Sequence, residues 1–279
     1  MKKKMLVILA HPDDESFGIG GSIAKYAAEG TEVHIAIATD GAAGSVAEGH
    51  EDAREKLAEV RAVELEKAVE ILGGKLHTLG YRDSGMKGDE ANDHPDAFIN
   101  ANEFEAIARV VKLIRDIQPH IVVTHDETGG YFHPDHIQCW KITTPAFHAS
   151  GDEFQFAEMG PPWMPDRLFY TVRPKRLIKI FTTVMRLSGK DPTAMGRNKD
   201  INLTILGQED EDIHVEIDYQ PYWEVKRLAS AEHASQGGGS SFFRFLPRFL
   251  QKRWFSTDHF QQAHPAVPKG YKDADLFPY

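Results

Sequence analysis

Two short apolar runs, Met5 to Leu9 and Ile121 to Thr124, are each followed by a dense group of histidines and acids, and this pairing constrains the fold more than anything else in the chain. Runs this short and this apolar suit strands buried on both faces, as in a parallel sheet covered by helices. Acids directly after such strands are poor core material. Ionised carboxylates leave water only when they are paired or bound to a cation.

The surroundings of both runs fit an α/β chain. After the first run come a glycine-containing turn at Gly18 to Gly21, an apolar-periodic segment from Ile23 to Ala28, and the alternating, β-branched stretch EVHIAIAT at 32–39. Strand, helix, strand is the unit that builds parallel sheets. Residues 51–72 read as a long amphipathic helix stopped by Gly73-Gly74, and Phe104 to Ile117 as another ended by Pro119. Beyond residue 160 shorter strand-like runs follow at 168–172, 201–206 and 213–217, and a helix is predicted over 221–235. The expectation is one α/β domain over 1–279, Rossmann-like with a mostly parallel central sheet. Residues 1–150 form the core that carries both motifs, and 151–279 add a C-terminal elaboration of short strands, a helix and substrate-covering loops.

Composition narrows the classes of function. A net charge of −10 lacks the basic footprint of a nucleic-acid binder. A single cysteine, Cys139, excludes an intramolecular disulfide framework and cysteine-rich zinc sites, so a metal would sit on His, Asp and Glu. Cys139 reads as a core residue without a role. The apolar run ending at Ala10 is too short for a secretory core or a membrane span, so a cytoplasmic protein without stable membrane insertion is expected.

The first motif is Ala10-His11-Pro12-Asp13-Asp14-Glu15, and the second is Tyr131-Phe132-His133-Pro134-Asp135-His136. Imidazole and carboxylate suit zinc, and catalytic zinc commonly takes three protein ligands and leaves one position open. Two histidines and one aspartate would supply such a set. Iron or another divalent ion fits the same donors. In open α/β sheets ligands bind beyond the carboxyl ends of the strands, where the two motifs could converge.

These residues resemble the PIG-L, or LmbE-like, family of zinc-dependent N-acetylglucosaminyl deacetylases, whose signatures are AHPDDE after strand one and HPDH after a later strand. The resemblance implies a Rossmann-like fold, zinc on His11, Asp14 and His136, and Asp13 as general base. It further implies that His133 stabilises the oxyanion, with Asp135 orienting it. The stretches Arg61 to Leu65 and Leu79 to Met86 resemble the mycothiol deacetylase and conjugate-amidase branch, which implies that Arg61 and Asp83 contact substrate and that Tyr131 assists at the transition state. The segment from Glu224 to Gln236 is similar to that branch's C-terminal helix. The implied substrate is a small amino-sugar conjugate, such as a glucosaminyl-inositol, a mycothiol- or bacillithiol-type conjugate, a glucosaminyl lipid or a chitin fragment. A homo-oligomer is expected because the family often assembles.

Rival readings are an amidase acting on thiol S-conjugates, a non-catalytic metal- or nucleotide-binding protein, and a two-metal phosphoesterase. Gly18-Ile19-Gly20-Gly21 is a poor dinucleotide fingerprint because acids occupy the turn where pyrophosphate would bind. Two basic stretches, 173–187 and 242–255, are expected to pack on the core, cover a pocket or form an oligomer interface, the second as a mobile lid over the substrate.

Overall fold

The computed structural model describes residues 2–195, 199, 201–238 and 248–277. In chain order its elements are β1 (Lys4–Leu9), α1 (Asp14–Phe17), α2 (Gly20–Ala28), β2 (Glu32–Thr39), α3 (Leu57–Leu72), β3 (Lys75–Tyr81), α4 (Glu103–Ile117), β4 (Ile121–His125), α5 (Gly129–Phe132), α6 (Pro134–Ser150), β5 (Arg167–Val172), α7 (Lys175–Leu187), β6 (Val215–Asp218), α8 (Trp223–Glu232), α9 (Arg248–Trp254) and β7 (Thr257–His264).

One sheet runs in the order β3-β2-β1-β4-β5-β7-β6. The pairings from β3 through to β5 are all parallel, and β7 is antiparallel to both of its neighbours. Alternate residues of β1 feed two cores: Met5, Val7 and Leu9 pack with Ile23, Leu65 and Leu72 on one face, and Leu6 and Ile8 pack with Val110, Ile114 and Ile142 on the other. This is why the run reads as apolar throughout. Helices α2 and α3 cover the first face, and α4 and α6 the second. The change of face falls between β1 and β4, and a crevice opens at their carboxyl ends.

The α/β class and the mostly parallel sheet are as expected, with three differences. Residues 201–206 are no strand: Met195 and Ile201 make an isolated bridge, and Leu203–Ile205 form one 3-10 turn. Asn202 causes this, its side chain accepting the Thr204 N–H at 3.0 Å and so competing with any ladder. The helix expected over 51–72 becomes regular only at Leu57, with 3-10 geometry over Glu51–Lys56. The residues after 150 extend the central sheet itself through β5, β7 and β6.

Cys139 is fully buried in the second core. The basic stretch 173–187 forms α7, where Lys175 pairs with Glu209, and Arg176 with Asp210 and Glu216. Acidic neighbours thus answer part of its charge. Of the second basic stretch, expected as a lid, 242–247 lie outside the described residues, and Arg248–Trp254 form α9. Among the described residues, no helix is long and apolar enough to cross a membrane.

Candidate active site

The crevice holds both motifs. His11 leaves the end of β1, Asp13 and Asp14 turn into α1, and His133 and His136 stand on the first turn of α6. Pro134 at the first position of α6 suits a helix start, where its missing N–H is not needed. Gly129 is required by the approach of the chain: its φ is 60°, and a Cβ there would lie 2.6 Å from that of His136.

His11, Asp14 and His136 come together on one atom each. His11 Nδ1 lies 3.2 Å from His136 Nε2 and 3.7 Å from Asp14 Oδ2, and His136 Nε2 lies 3.3 Å from the same Asp14 oxygen. A tetrahedral ion with bonds of 2.0–2.1 Å places its donors about 3.4 Å apart, so the spacing fits a small divalent cation. The outer nitrogens are accounted for. His136 Nδ1 donates to the Gly129 carbonyl at 3.0 Å, and His11 Nε2 faces Asp135 Oδ2 at 3.1 Å and Asp83 Oδ1 at 3.4 Å. His136 therefore turns a lone pair inward, as metal-ligating histidines do. Burial opposes a charge on His11, but Asp83 and Asp135 outweigh it and hold the imidazole well above its ordinary value, so a metal bound there would displace a proton. Among the described residues, overlapping His/Asp groups could hold a metal: His11, His133 and His136; Asp14, His125 and His136; and His11, Asp83 and Asp135.

The electrostatics separate the two adjacent aspartates. Burial opposes ionisation of Asp14, but His136 and His125 outweigh it and hold its carboxyl well below the usual range. Burial raises Asp13 to about 6, with the Arg61 guanidinium pulling the other way. Neighbouring carboxyls driven apart in this way are suited to different tasks. His133 is pushed down to about 2, by burial and then by His11 and His136, so it is neutral. Its Nδ1 accepts the Asp135 N–H at 3.2 Å, which leaves the proton on Nε2. Burial also raises the Tyr131 hydroxyl well above its ordinary value.

A cavity of about 940 Å³ opens over the cluster, lined by His11, Asp13, Arg61, Asp83, Tyr131 and His133. Arg61 is no solvated helix arginine: it is 2% exposed, and it donates to the carbonyls of Gly41 and Pro12 and, at 3.0 Å, to Asp13 Oδ2. Asp83 accepts from the backbone N–H of Gly85 at 2.8 Å and of Ala43 at 3.2 Å. The Asp135 carboxylate does not reach His133, whose imidazole receives only the Asp135 backbone N–H. The carboxylate serves His11 and takes the Ser84 N–H at 2.9 Å.

Three features escape the sequence reading. His125, the last residue of β4, stacks on His136 with centroids 3.9 Å apart and faces Asp14 at 3.5 Å. Burial lowers it to about 4, and its Nε2 lies 3.3 Å from the Ala10 N–H, so its lone pair is turned to the backbone. Its place directly after an apolar strand was the available signal. Gln236 lines the cavity from the far end of the chain. Glu15 and His233 form a buried pair beneath Asp13, and no sequence spacing connects them.

Comparison with known proteins shows the family of the chain. The model of the family PIG-L: GlcNAc-PI de-N-acetylase matches residues 6–147. The 1D-myo-inositol 2-acetamido-2-deoxy-alpha-D-glucopyranoside deacetylase of Thermobifida fusca is 33% identical, covering 99% of both chains. The enzyme of that name from Rhodococcus jostii is 36% identical, over 98% of this chain and 95% of its own. Among solved structures, the N,N'-diacetylchitobiose deacetylase of Pyrococcus horikoshii superposes with a TM-score of 0.63 at 21% identity, over 93% of this chain and 83% of that one. The 4-carboxy-2-hydroxymuconate hydratase GalB of Pseudomonas putida does so at 0.62 and 17%, over 96% and 98%. The fold alone therefore does not choose the chemistry. With both motifs in the matched span and relatives aligned over nearly the full length, the chain belongs to the PIG-L: GlcNAc-PI de-N-acetylase family.

Proposed function

We propose that this chain is a zinc-dependent deacetylase acting on the N-acetylglucosamine unit of a 1D-myo-inositol glycoside, the compound for which its relatives are named. At the level of its family it is a metal-dependent amide hydrolase that deacetylates an N-acetylglucosamine conjugate. The observation that carries the reading is the donor trio at tetrahedral spacing with Asp13, raised to about 6, directly beside it.

In this reading His11, Asp14 and His136 hold the zinc. When bound, zinc supplies Lewis-acid polarisation of the amide carbonyl and makes water acidic near neutral pH. Asp13 takes the proton of the attacking water and passes it to the departing amine, which a carboxyl near 6 can do in both directions at neutral pH. Neutral His133 offers its Nε2–H to the developing oxyanion, aided by Tyr131. Arg61 keeps Asp13 turned toward the cavity, and both Arg61 and Asp83 line the space the sugar would fill.

The test is amine release from a panel of N-acetylglucosamine conjugates differing only in aglycone, assayed with zinc, iron or no metal. The inositol glycoside with zinc should give the highest kcat/KM. A thiol S-conjugate hydrolysed faster would replace the deacetylase by an amidase, and equal rates without metal would overturn the mechanism.

A further inference from the structure

Asp13 sits in an uncommon conformation. Its φ is 119°, in the left-handed region that non-glycine residues avoid, at a cost of roughly 1–3 kcal/mol. Something must hold it there. Three local hydrogen bonds contribute: Ser16 and Phe17 donate to its carbonyl at 3.0 and 2.8 Å, and its own N–H donates to Glu15 Oε2 at 2.9 Å.

The partner of Glu15 comes from the other end of the chain. His233, just past α8, lies with Nε2 2.6 Å from Glu15 Oε1, and both side chains are fully buried. Ser16 Oγ donates to the same Glu15 oxygen at 2.6 Å. The segment bearing His233 is itself anchored, since Glu64 accepts from Ser235 N and Oγ at 2.8 and 2.7 Å. His233 Nδ1 is buried and has no hydrogen-bond partner among the described residues. An imidazole with one orphaned nitrogen costs more in a core than an apolar side chain of similar shape. His233 pairs a carboxylate that could not otherwise be buried, and its one side-chain hydrogen bond leads through Glu15 to the Asp13 N–H.

We propose that Glu15 and His233 are positioning residues for the hydrolysis: His233 fixes the Glu15 carboxylate, which grips the Asp13 backbone N–H and aims the Asp13 carboxyl at the reacting water. The proposal rests on the role given to Asp13 above. It assigns the segment that follows α8 a part in the chemistry although that segment supplies none of the proposed metal donors.

The experiment compares His233→Gln with His233→Asn in the zinc-loaded protein. The Gln amide nitrogen reaches about where Nε2 stands, whereas the Asn amide stops near Nδ1 and loses Glu15. Two readouts are taken: hydrogen exchange of the Asp13 amide, resolved by NMR, and kcat and KM on the inositol glycoside. In the Gln variant the Asp13 amide should stay protected and kcat should stay near that of the wild type. In the Asn variant the amide should exchange faster and kcat should fall on the order of 10- to 100-fold with KM nearly unchanged, the penalty expected of a misplaced catalytic group. Support requires the Asn variant to fall below the Gln variant in both readouts, and any other ordering overturns the proposal. An inactive wild type would overturn the proposed function instead, and the amide exchange would then decide this inference alone.

Discussion

The Asp135 carboxylate holds His11 across 124 residues of sequence, with Oδ2 3.1 Å from Nε2. That contact keeps a proton on the outer nitrogen of His11 and turns Nδ1 toward Asp14 and His136. Substituting Asp135→Asn should therefore weaken zinc binding by about 10- to 100-fold, as loss of a ligand's supporting carboxylate commonly does. Competition against a chelator of known affinity measures it. Undiminished affinity would mean that the carboxylate acts elsewhere.

Asp13 and His11 should separate chemistry from binding. Asp13→Asn should keep its zinc and lose about 10²- to 10⁴-fold in kcat, the usual worth of a general base. His11→Ala should lose the metal along with the activity. Metal analysis by mass spectrometry beside an amine-release assay checks both, and an active, metal-free His11→Ala enzyme would sink the mechanism.

In the proposed mechanism Arg61 should set the acid side of the pH profile. Burial raises Asp13 to about 6 while Arg61 draws it down, and the ionised form is the base, so kcat/KM should climb as pH rises through the Asp13 titration. Removing the positive charge with Arg61→Met leaves burial less opposed. The acid limb should then move to higher pH, and a limb that stays in place or moves down would exclude the ion pair as its determinant.

Gly21 tests the packing beneath the site. A Cβ there would lie 2.1 Å from the ring of Tyr219, which donates to the Phe255 carbonyl at 2.7 Å and cannot easily retreat. Gly21→Ala should lower stability by about 1–3 kcal/mol or more through overpacking. Urea denaturation would show this as a lower midpoint at constant slope. Adding Tyr219→Leu should recover part of the loss.

What could be read from residues alone follows physical lines. Strands β1 and β4 were legible because burial on both faces leaves an unbroken apolar run, β2 was legible from its alternation and β-branched residues, and the two motifs were legible because acids beside such runs need a reason. Strand β7 was not legible. Its sequence, TDHFQQAH, is polar, yet Asp258, His259 and Gln262 are buried because Asp258 meets Lys226 and Ser22, and Gln262 meets His214 and the Pro265 carbonyl. Partners supplied by the tertiary structure override the pattern. His125 was hidden as the last residue of a strand, and the link from Glu15 to His233 spans 218 residues with no local trace. Arg61 stood out only through resemblance, since its helix position looks exposed until Gly41 and Pro12 close over it.

Strand β7, the last of the sheet in the chain, lies between β5 and β6 rather than at an edge. A ribosome therefore releases β6 well before the strand that joins it to the sheet, and His233 follows Asp13 by most of the length of the chain. Domains generally fold as units during synthesis, and this one has to wait for β7. A nascent chain that already displays both histidine motifs still lacks the centre of its sheet's far half, so hydrolytic competence should appear only once β7 has been translated.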